Sequence, residues 1–310
     1  MDQDRDDSTY PAAAYYCTMK KKNEMDHVSS DDLHTPAQMW RSTARALARY
    51  VRPLYFWTVA FGFDPLVFVT GLKGFLPALR NYLILRRQMR AAGKKQKLRF
   101  SVPCLADKQS PAAILPRHYF YQDLLVAQRI FRRSPVRHVD VGSRVDGFVA
   151  HVAGFRVIEV FDIRPLNVAI PTIIFRQTDL MKPRDEFKDY CDSLSCLHAL
   201  EHFGLGRYGD PVDLDGHKRG FQNLSDILQV GGILYLSVPI GPERIDFNAN
   251  RVFGIGTILG LAKDHFELES FSLVDDDGIL HKNVGLTPEA IGSSCGCYYG
   301  CGIFELRKRR

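Results

Sequence analysis

Three residues in the stretch YCDSLSCLHALEHFGLGRYGD could carry proton chemistry together: His198, Glu201 and His202, spaced H-x-x-E-H. On a stable helix this spacing would place both imidazoles on one face and suit a zinc peptidase. The surroundings argue against that helix, because an apolar run leads directly into His198 and GLGRYGD breaks any helix within a turn. No metal is therefore expected. Without one, His198 or His202 becomes a candidate general base with Glu201 as its helper. Arg207 and Tyr208 follow closely enough to contact a substrate.

Other segments could hold a ligand. HVDVGSRVDGFVAHVAG places Asp140, Gly142 and Ser143 at the end of an apolar strand, with Gly147 opening a helix. A glycine there lets the backbone turn sharply and lets a ligand approach closely. The spacing lacks the middle glycine of the dinucleotide fingerprint, and no Lys-Ser or Lys-Thr follows Gly147 as in a phosphate-binding loop. An acid beside such a turn suits a ligand with positive charge and no phosphate. RVIEVFDIRP then ends a second strand on Asp162, 20 residues after Gly142, where a carboxylate can accept both hydroxyls of an adenosine ribose. Asp179, in FRQTDL, can accept from an adenine amino group. In FNANRVFG, Asn248, Asn250 and Arg251 offer hydrogen bonds to a polar substrate, or simply form the loop before the next helix.

These groups need a scaffold. From about residue 112 onward, helical patterns alternate with short runs of Val, Ile, Leu and Phe. Strands are expected at Val136–Val141, Arg156–Phe161, Thr172–Arg176, Ser193–Leu197, Ile233–Val238, Phe266–Val274 and Gly302–Leu306. Helices are expected at Gln122–Phe131, Asp146–Ala153, Lys218–Leu228 and Gly256–Lys263. This alternation predicts an α/β fold: a Rossmann-like, doubly wound, mostly parallel sheet of about seven strands. Its ligands should lie beyond the carboxyl ends of the strands.

The N-terminal part reads differently. Residues 1–35 are polar, without periodicity, and predict a disordered tail with no signal peptide. Residues 36–110 predict a helical, basic extension and linker, leaving 111–310 as the α/β domain. Leu54–Leu72 is strongly apolar but is interrupted by Asp64-Pro65, so packing or peripheral membrane contact through residues 54–99 is favoured over a span. The net charge of +6 sits largely in Arg80–Arg99 and Arg307–Arg310. These runs lack interleaved aromatics, so no nucleic-acid partner is expected. Seven cysteines, an odd number, do not suggest a disulfide framework, and a cytoplasmic, membrane-associated or free, location is expected. Cys295, Cys297 and Cys301 cluster, but no fourth ligand stands at zinc spacing.

Taken in order, VDVGS, VFDIRP, TDL, LHALEHF and LQVGGILYLSVP resemble the class I S-adenosylmethionine-dependent methyltransferase superfamily over roughly residues 115–310. More narrowly, HYFYQD, HVDVGS, DIRPL, LEHFGLGRYGD and FNANRVFG resemble a branch known only as a domain of unknown function. The resemblance implies S-adenosyl-L-methionine as cofactor and methyl transfer to a small-molecule or glycan acceptor. It implies that Asp140, Gly142 and Ser143 cradle the methionine part, that Asp162 holds the ribose and Asp179 the adenine. It also implies that Tyr119, Gln122 and Asp123 close over the cofactor. Arg144 stands where the superfamily usually has a second glycine. The alternative is therefore a catalytically inactive, methyltransferase-fold binding protein.

Overall fold

The computed structural model describes residues 53–94, 96–101, 104–105, 117–182 and 185–309. The tail expected over 1–35, and the first part of the helical extension, lie outside the described residues. The chain divides into two compact units, residues 1–115 and Pro116–Arg310.

In the first unit, α1 (Pro53–Ala60) and α2 (Pro65–Ala91) meet at a bend of 74°. Asp64 makes the restart. Its carboxylate accepts the Leu66 and Val67 amides at 2.8 and 3.2 Å, and Pro65 takes the first helical position, where a missing N–H costs nothing. Gly93, at φ +60°, follows the end of α2. Among the described residues, no single helix is long and apolar enough to cross a membrane.

The second unit opens with α3 (Arg117–Arg133) and β1 (His138–Val141). A π-turn at Val145–Val149 runs into α4 (Ala150–Ala153), followed by β2 (Ile158–Asp162), β3 (Ile173–Gln177) and β4 (Cys191–Leu197). Next come α5 (Gly216–Ile227), β5 (Leu228–Ile240) and a hairpin of β6 (Arg244–Asp246) and β7 (Asn250–Val252). The chain ends through α6 (Ile255–Ala262), β8 (Phe266–Val274), β9 (Leu280–His281), α7 (Pro288–Gly292) and β10 (Gly300–Lys308).

The main sheet has eight strands in the order β3-β2-β1-β4-β5-β10-β8-β9. Strands β1 to β5 are parallel, and β10 lies antiparallel between β5 and β8. All seven expected strands are present, so the mostly parallel, Rossmann-like architecture holds. The short β9 is the eighth, and the β6–β7 hairpin takes the place of the loop expected at FNANRVFG. The helix expected at Asp146–Ala153 begins instead as a π-turn, because Gly147 leaves helical geometry at φ −114°, ψ −114°.

Both faces of the sheet are covered, but unequally. Val139, Val141, Leu194, Cys196, Leu234 and Leu236 belong to one apolar cluster with Phe221 and Leu224 of α5 and Ile258 of α6. Each such buried side chain contributes about 1.5–3 kcal/mol. The intervening residues (His138, Asp140, Ser193, Ser195 and Ser237) are polar and equally buried. The period of two along the strands thus builds an apolar core on one face, while on the other these polar groups lie beside a second apolar cluster that includes Val126, Ile130, Phe148, Leu197, Tyr235 and Ile303.

Candidate active site

The chain path fixes where a ligand can enter. From β1 the chain winds outward to β3, then begins again at β4 on the other side of β1. The loops after β1 and β4 therefore diverge and leave a crevice between them. A cavity, partly open to solvent, occupies that end of the sheet. Strand ends make its wall: Val141 and Gly142 after β1, Asp162–Arg164 after β2, Thr178–Met181 after β3, and His198, Ala199 and His202 after β4. Phe203, Tyr208 and Asp210 close it.

Gly142 is required by this geometry. Its φ is +76°, and a Cβ there would stand 2.9 Å from the Ala199 Cβ. The two diverging loops touch at this point, so only a glycine keeps the floor of the crevice open. Arg144 does not fill the crevice. It turns outward and pairs with Asp146 at 2.6 Å, both side chains more than half exposed.

Asp162 lies at the tip of β2, 8% exposed and facing the cavity. Its carboxylate is already engaged. The Arg164 amide donates at 2.8 Å and its guanidinium forks onto both oxygens at 3.0 and 2.5 Å. The same guanidinium lies 4.7 Å from the centre of the Tyr208 ring, and Arg207 stands over that ring at 5.1 Å. Asp179 also lines the cavity, accepting the Met181 amide at 2.9 Å, with Lys182 at 3.3 Å. The apolar Ile163, Leu180 and Met181 complete this side.

The two histidines of H-x-x-E-H differ in kind. His198 sits at φ +49°, outside the short turn Leu200–His202, so the pair does not share a helix face. Among the described residues no three His, Cys, Asp or Glu side chains come together as a metal site would require. His198 Nδ1 pairs with Glu201 Oε1 at 2.7 Å, both groups buried, and its ring stacks on His118 at 5.7 Å and near Tyr119 at 5.0 Å. Burial disfavours charge on this ring, but the neighbouring Cys301 thiol and Glu201 carboxylate outweigh it and hold the His198 pKa above the ordinary imidazole value. Burial likewise opposes charge on Glu201, yet His198 and His202 hold its pKa down. The two form a buried ion pair through a single contact.

His202 is the reverse. Its Nδ1 lies 2.7 Å from the Ala249 carbonyl, which can only accept, so Nδ1 carries the proton. Burial pushes its pKa down, keeping the ring neutral. Nε2 is then the lone-pair nitrogen, 3.8 Å from Glu201 Oε1, on a residue of the cavity wall.

Behind the wall runs the polar layer. Asp140 is fully buried and accepts the Ser143 amide (3.1 Å), the Ser143 hydroxyl (2.9 Å) and the Ser195 hydroxyl (2.6 Å). Burial pushes its pKa up to about 7 in spite of those donors. His138 lies against Ser193 and Ser195 at 2.8 and 3.2 Å, and burial pushes its pKa down to about 3. Gln122 accepts the Ser237 hydroxyl at 2.6 Å and donates to Asp123 at 3.1 Å, and burial takes Asp123 to about 6.

Of the expected site residues, the structure brings Gly142, Asp162, Asp179, His198, His202 and Tyr208 to one cavity. Asp140, Ser143 and Glu201 stand behind it, their polar atoms turned to the fold. Gly147 packs instead towards Asp123, whose Oδ2 would lie 3.1 Å from a Cβ placed there. The proposed acceptor trio does not line the cavity. Asn248 is at the exposed tip of the β6–β7 hairpin. Asn250 bonds the Arg251 carbonyl at 3.0 Å and accepts from Tyr299 at 3.3 Å. Arg251 is 4% exposed and binds the carbonyls of Glu201, Phe203, Asp213 and Leu214. It staples the loop after β4. Arg207 donates to the Ala249 carbonyl at 2.9 Å. Sequence reasoning missed Arg164 and Asp210. DIRPL held the signal for the first, since an arginine two residues after a strand-end acid can fold back on it. Asp210 accepts the amides of Gly204, Gly206 and Tyr208, a role that the glycines of GLGRYGD imply.

Fold and site together define a class: a Rossmann-like α/β domain with a cavity at its topological switch point. A family model described as "Caenorhabditis protein of unknown function, DUF268" matches residues 171–277. No curated protein matches. Among solved structures, the chain is similar to the [4+2]-cyclase SpnF at 14% identity and TM-score 0.46, over 75% of this chain and 95% of that one. It is similar to a Burkholderia thailandensis 1,6-didemethyltoxoflavin-N1-methyltransferase with bound S-adenosylhomocysteine (14% identity, TM-score 0.43, 62% of this chain, 80% of that chain). It is also similar to the N-methyltransferase NodS from Bradyrhizobium japonicum WM9 (12% identity, TM-score 0.40, 61% and 88%). The fold assignment itself stands on the strand order and register.

Proposed function

We propose that residues Pro116–Arg310 bind S-adenosylmethionine in the cavity at the tips of β1–β4 and methylate a small polar acceptor, sugars included. The observation that carries this reading is the donor set of the wall. Asp162 offers a carboxylate to a ribose diol, Asp179 one to an adenine amino group, and Ile163, Leu180 and Met181 give an apolar slot between them. The turn at Gly142 leaves backbone space for an amino-acid tail, and Asp140 holds that turn from behind through Ser143. The donor set fits a nucleoside better than a pyrophosphate cofactor, since no phosphate-binding glycine loop lines the cavity.

The cofactor, when bound, supplies an electrophilic methyl group. The chain's own task is to hold an acceptor in line with it, which can supply much of the rate. For a hydroxyl acceptor a base is needed, and His202 is better suited than His198. Its Nε2 lone pair is free, its ring is neutral, and the Ala249 carbonyl fixes its orientation. His198 and Glu201 act by position, keeping the loop after β4 in place. The test is calorimetry with S-adenosylhomocysteine followed by a transfer assay over hydroxyl and amine acceptors. A second reading, a binding protein without catalysis, is favoured by one observation: Arg164 already occupies the Asp162 carboxylate. A silent titration would support that reading and remove the first.

A further inference from the structure

The first unit exposes a surface that water does not suit. Of the described residues of α2, only Gly74 is buried. Leu54, Trp57, Phe61, Phe63, Phe68 and Leu76 are 51–82% exposed, and further valines, leucines and phenylalanines between them are also open. No apolar core forms beneath them among the described residues, so neither helix gains the burial that normally stabilises an amphipathic helix. Such a contiguous patch marks an interaction site.

Charge selects the occupant. From Pro53 to Leu105 the sequence holds nine Lys and Arg against a single acid, Asp64, an excess larger than the +6 of the whole chain. The two characters are separated along the chain. The large exposed apolar side chains concentrate over residues 54–76, while Arg80, Arg86, Arg87, Arg90, Lys94, Lys97 and Arg99 follow, all exposed. The lone acid does not oppose insertion, since its carboxylate is taken by the Leu66 and Val67 amides and the Tyr55 hydroxyl. A protein partner would need an apolar and an anionic surface side by side; an anionic lipid leaflet presents both at once.

We propose that residues 53–99 form an interfacial anchor that seats in one leaflet of an anionic membrane, the bend between α1 and α2 entering the acyl boundary and the basic half of α2 lying among the headgroups. The eight residues of α1 and the apolar first half of α2 each fall short of the roughly 20 apolar residues of a span, and their 74° bend suits lying in the interface. The anchor is independent of what the second unit catalyses.

Flotation of the full chain with phosphatidylcholine vesicles, with and without about one third phosphatidylserine, tests it. Each basic residue at an anionic surface is worth roughly a fivefold gain, so binding should be at least about tenfold tighter with phosphatidylserine and weaken at high salt. The W57S/F61S/F68S variant should lose binding to both vesicles. R86Q/R87Q/R90Q should lose only the preference for phosphatidylserine, and because these arginines are exposed the variant should fold. The proposal is overturned if the wild-type chain floats with neither vesicle, or if both variants float as it does. It is also overturned if the apolar face instead drives dimerisation without lipid, seen as a concentration-dependent mass by sedimentation equilibrium that W57S/F61S/F68S abolishes.

Discussion

Two layers of polar side chains lie one behind the other at the carboxyl end of the sheet, and they differ in what their lone pairs do. In the rear layer, Ser195 joins His138 to Asp140, and Glu201 pairs with His198 of the wall, so these groups are engaged with the fold itself. In the front wall, Asp162, Asp179, His202 and Tyr208 face open space. Asp140 and Asp162 make the contrast sharpest. Both are strand-tip acids, one at the end of β1 and one at the end of β2. The first is held by three neutral donors inside the fold, the second by a partly exposed arginine at the cavity wall. Position on a strand tip is therefore not enough to make an acid a ligand-binding group; the partner that saturates it decides.

The largest effects should come from dividing the two histidines. His202→Gln should lower methyl transfer to a hydroxyl acceptor by about 10²–10⁴-fold while leaving S-adenosylhomocysteine affinity within a few-fold, as measured by initial rates and calorimetry. His198→Gln should instead break a buried ion pair and lower stability by roughly 3–5 kcal/mol in urea unfolding. Equal rate losses without destabilisation in both variants would erase the division.

The rear layer has its own signature in pH. The folded pKa of Asp140, about 7, stands above its unfolded value near 3.9, so its contribution to stability is complete below about pH 4. It is lost as pH rises to 7, because an ionised carboxylate must then stay buried. At 1.36 kcal/mol per unit this is on the order of 4 kcal/mol, with Asp123 acting in the same direction. Asp140→Asn should flatten the pH dependence of unfolding between pH 4 and 7. An unchanged slope would place the titration elsewhere.

Much of the scaffold was legible in sequence because it depends on period. Runs such as VIEVF and ILYLSV can only be interior strands of a covered sheet, and their order already specified crossovers. The site was legible where chemistry follows from a strand end, as at Asp162, Asp179 and Gly142. It was not legible where long-range packing assigns a side chain. Nothing in FNANRVFG reveals that Arg251 turns inward to hold four carbonyls of the loop after β4, more than 35 residues distant in sequence. A buried arginine and a substrate-facing arginine read identically. The same limit applies to β10, whose antiparallel place between β5 and β8 depends on partner strands remote in sequence.

The front wall yields smaller but sharper tests. Asp162→Asn removes charge from the hydrogen bonds offered to a ribose diol, each worth about 1.5–3 kcal/mol, and should weaken S-adenosylhomocysteine binding by roughly 10- to 100-fold. The corresponding change at Asp179 should be milder, since that acid is more open to water. Adenosine alone is a useful second probe, because it reports the ribose and base contacts without the amino-acid tail.

Arg164→Gln should produce the smallest change and the most discriminating one. The Arg164 side chain is 41% exposed, so its pair with Asp162 contributes no more than about 1 kcal/mol. If the pair only competes with the ribose, removing the guanidinium frees the carboxylate and tightens S-adenosylhomocysteine binding by up to about fivefold, and the gain should shrink at high salt as screening weakens the competitor. If Arg164 swings onto the ligand instead, holding the carboxylate of its amino-acid tail, the same substitution weakens binding of S-adenosylhomocysteine and leaves adenosine untouched. The sign of one affinity change thus distinguishes a latch from a clamp, and with it whether the front wall is fully formed before the ligand arrives.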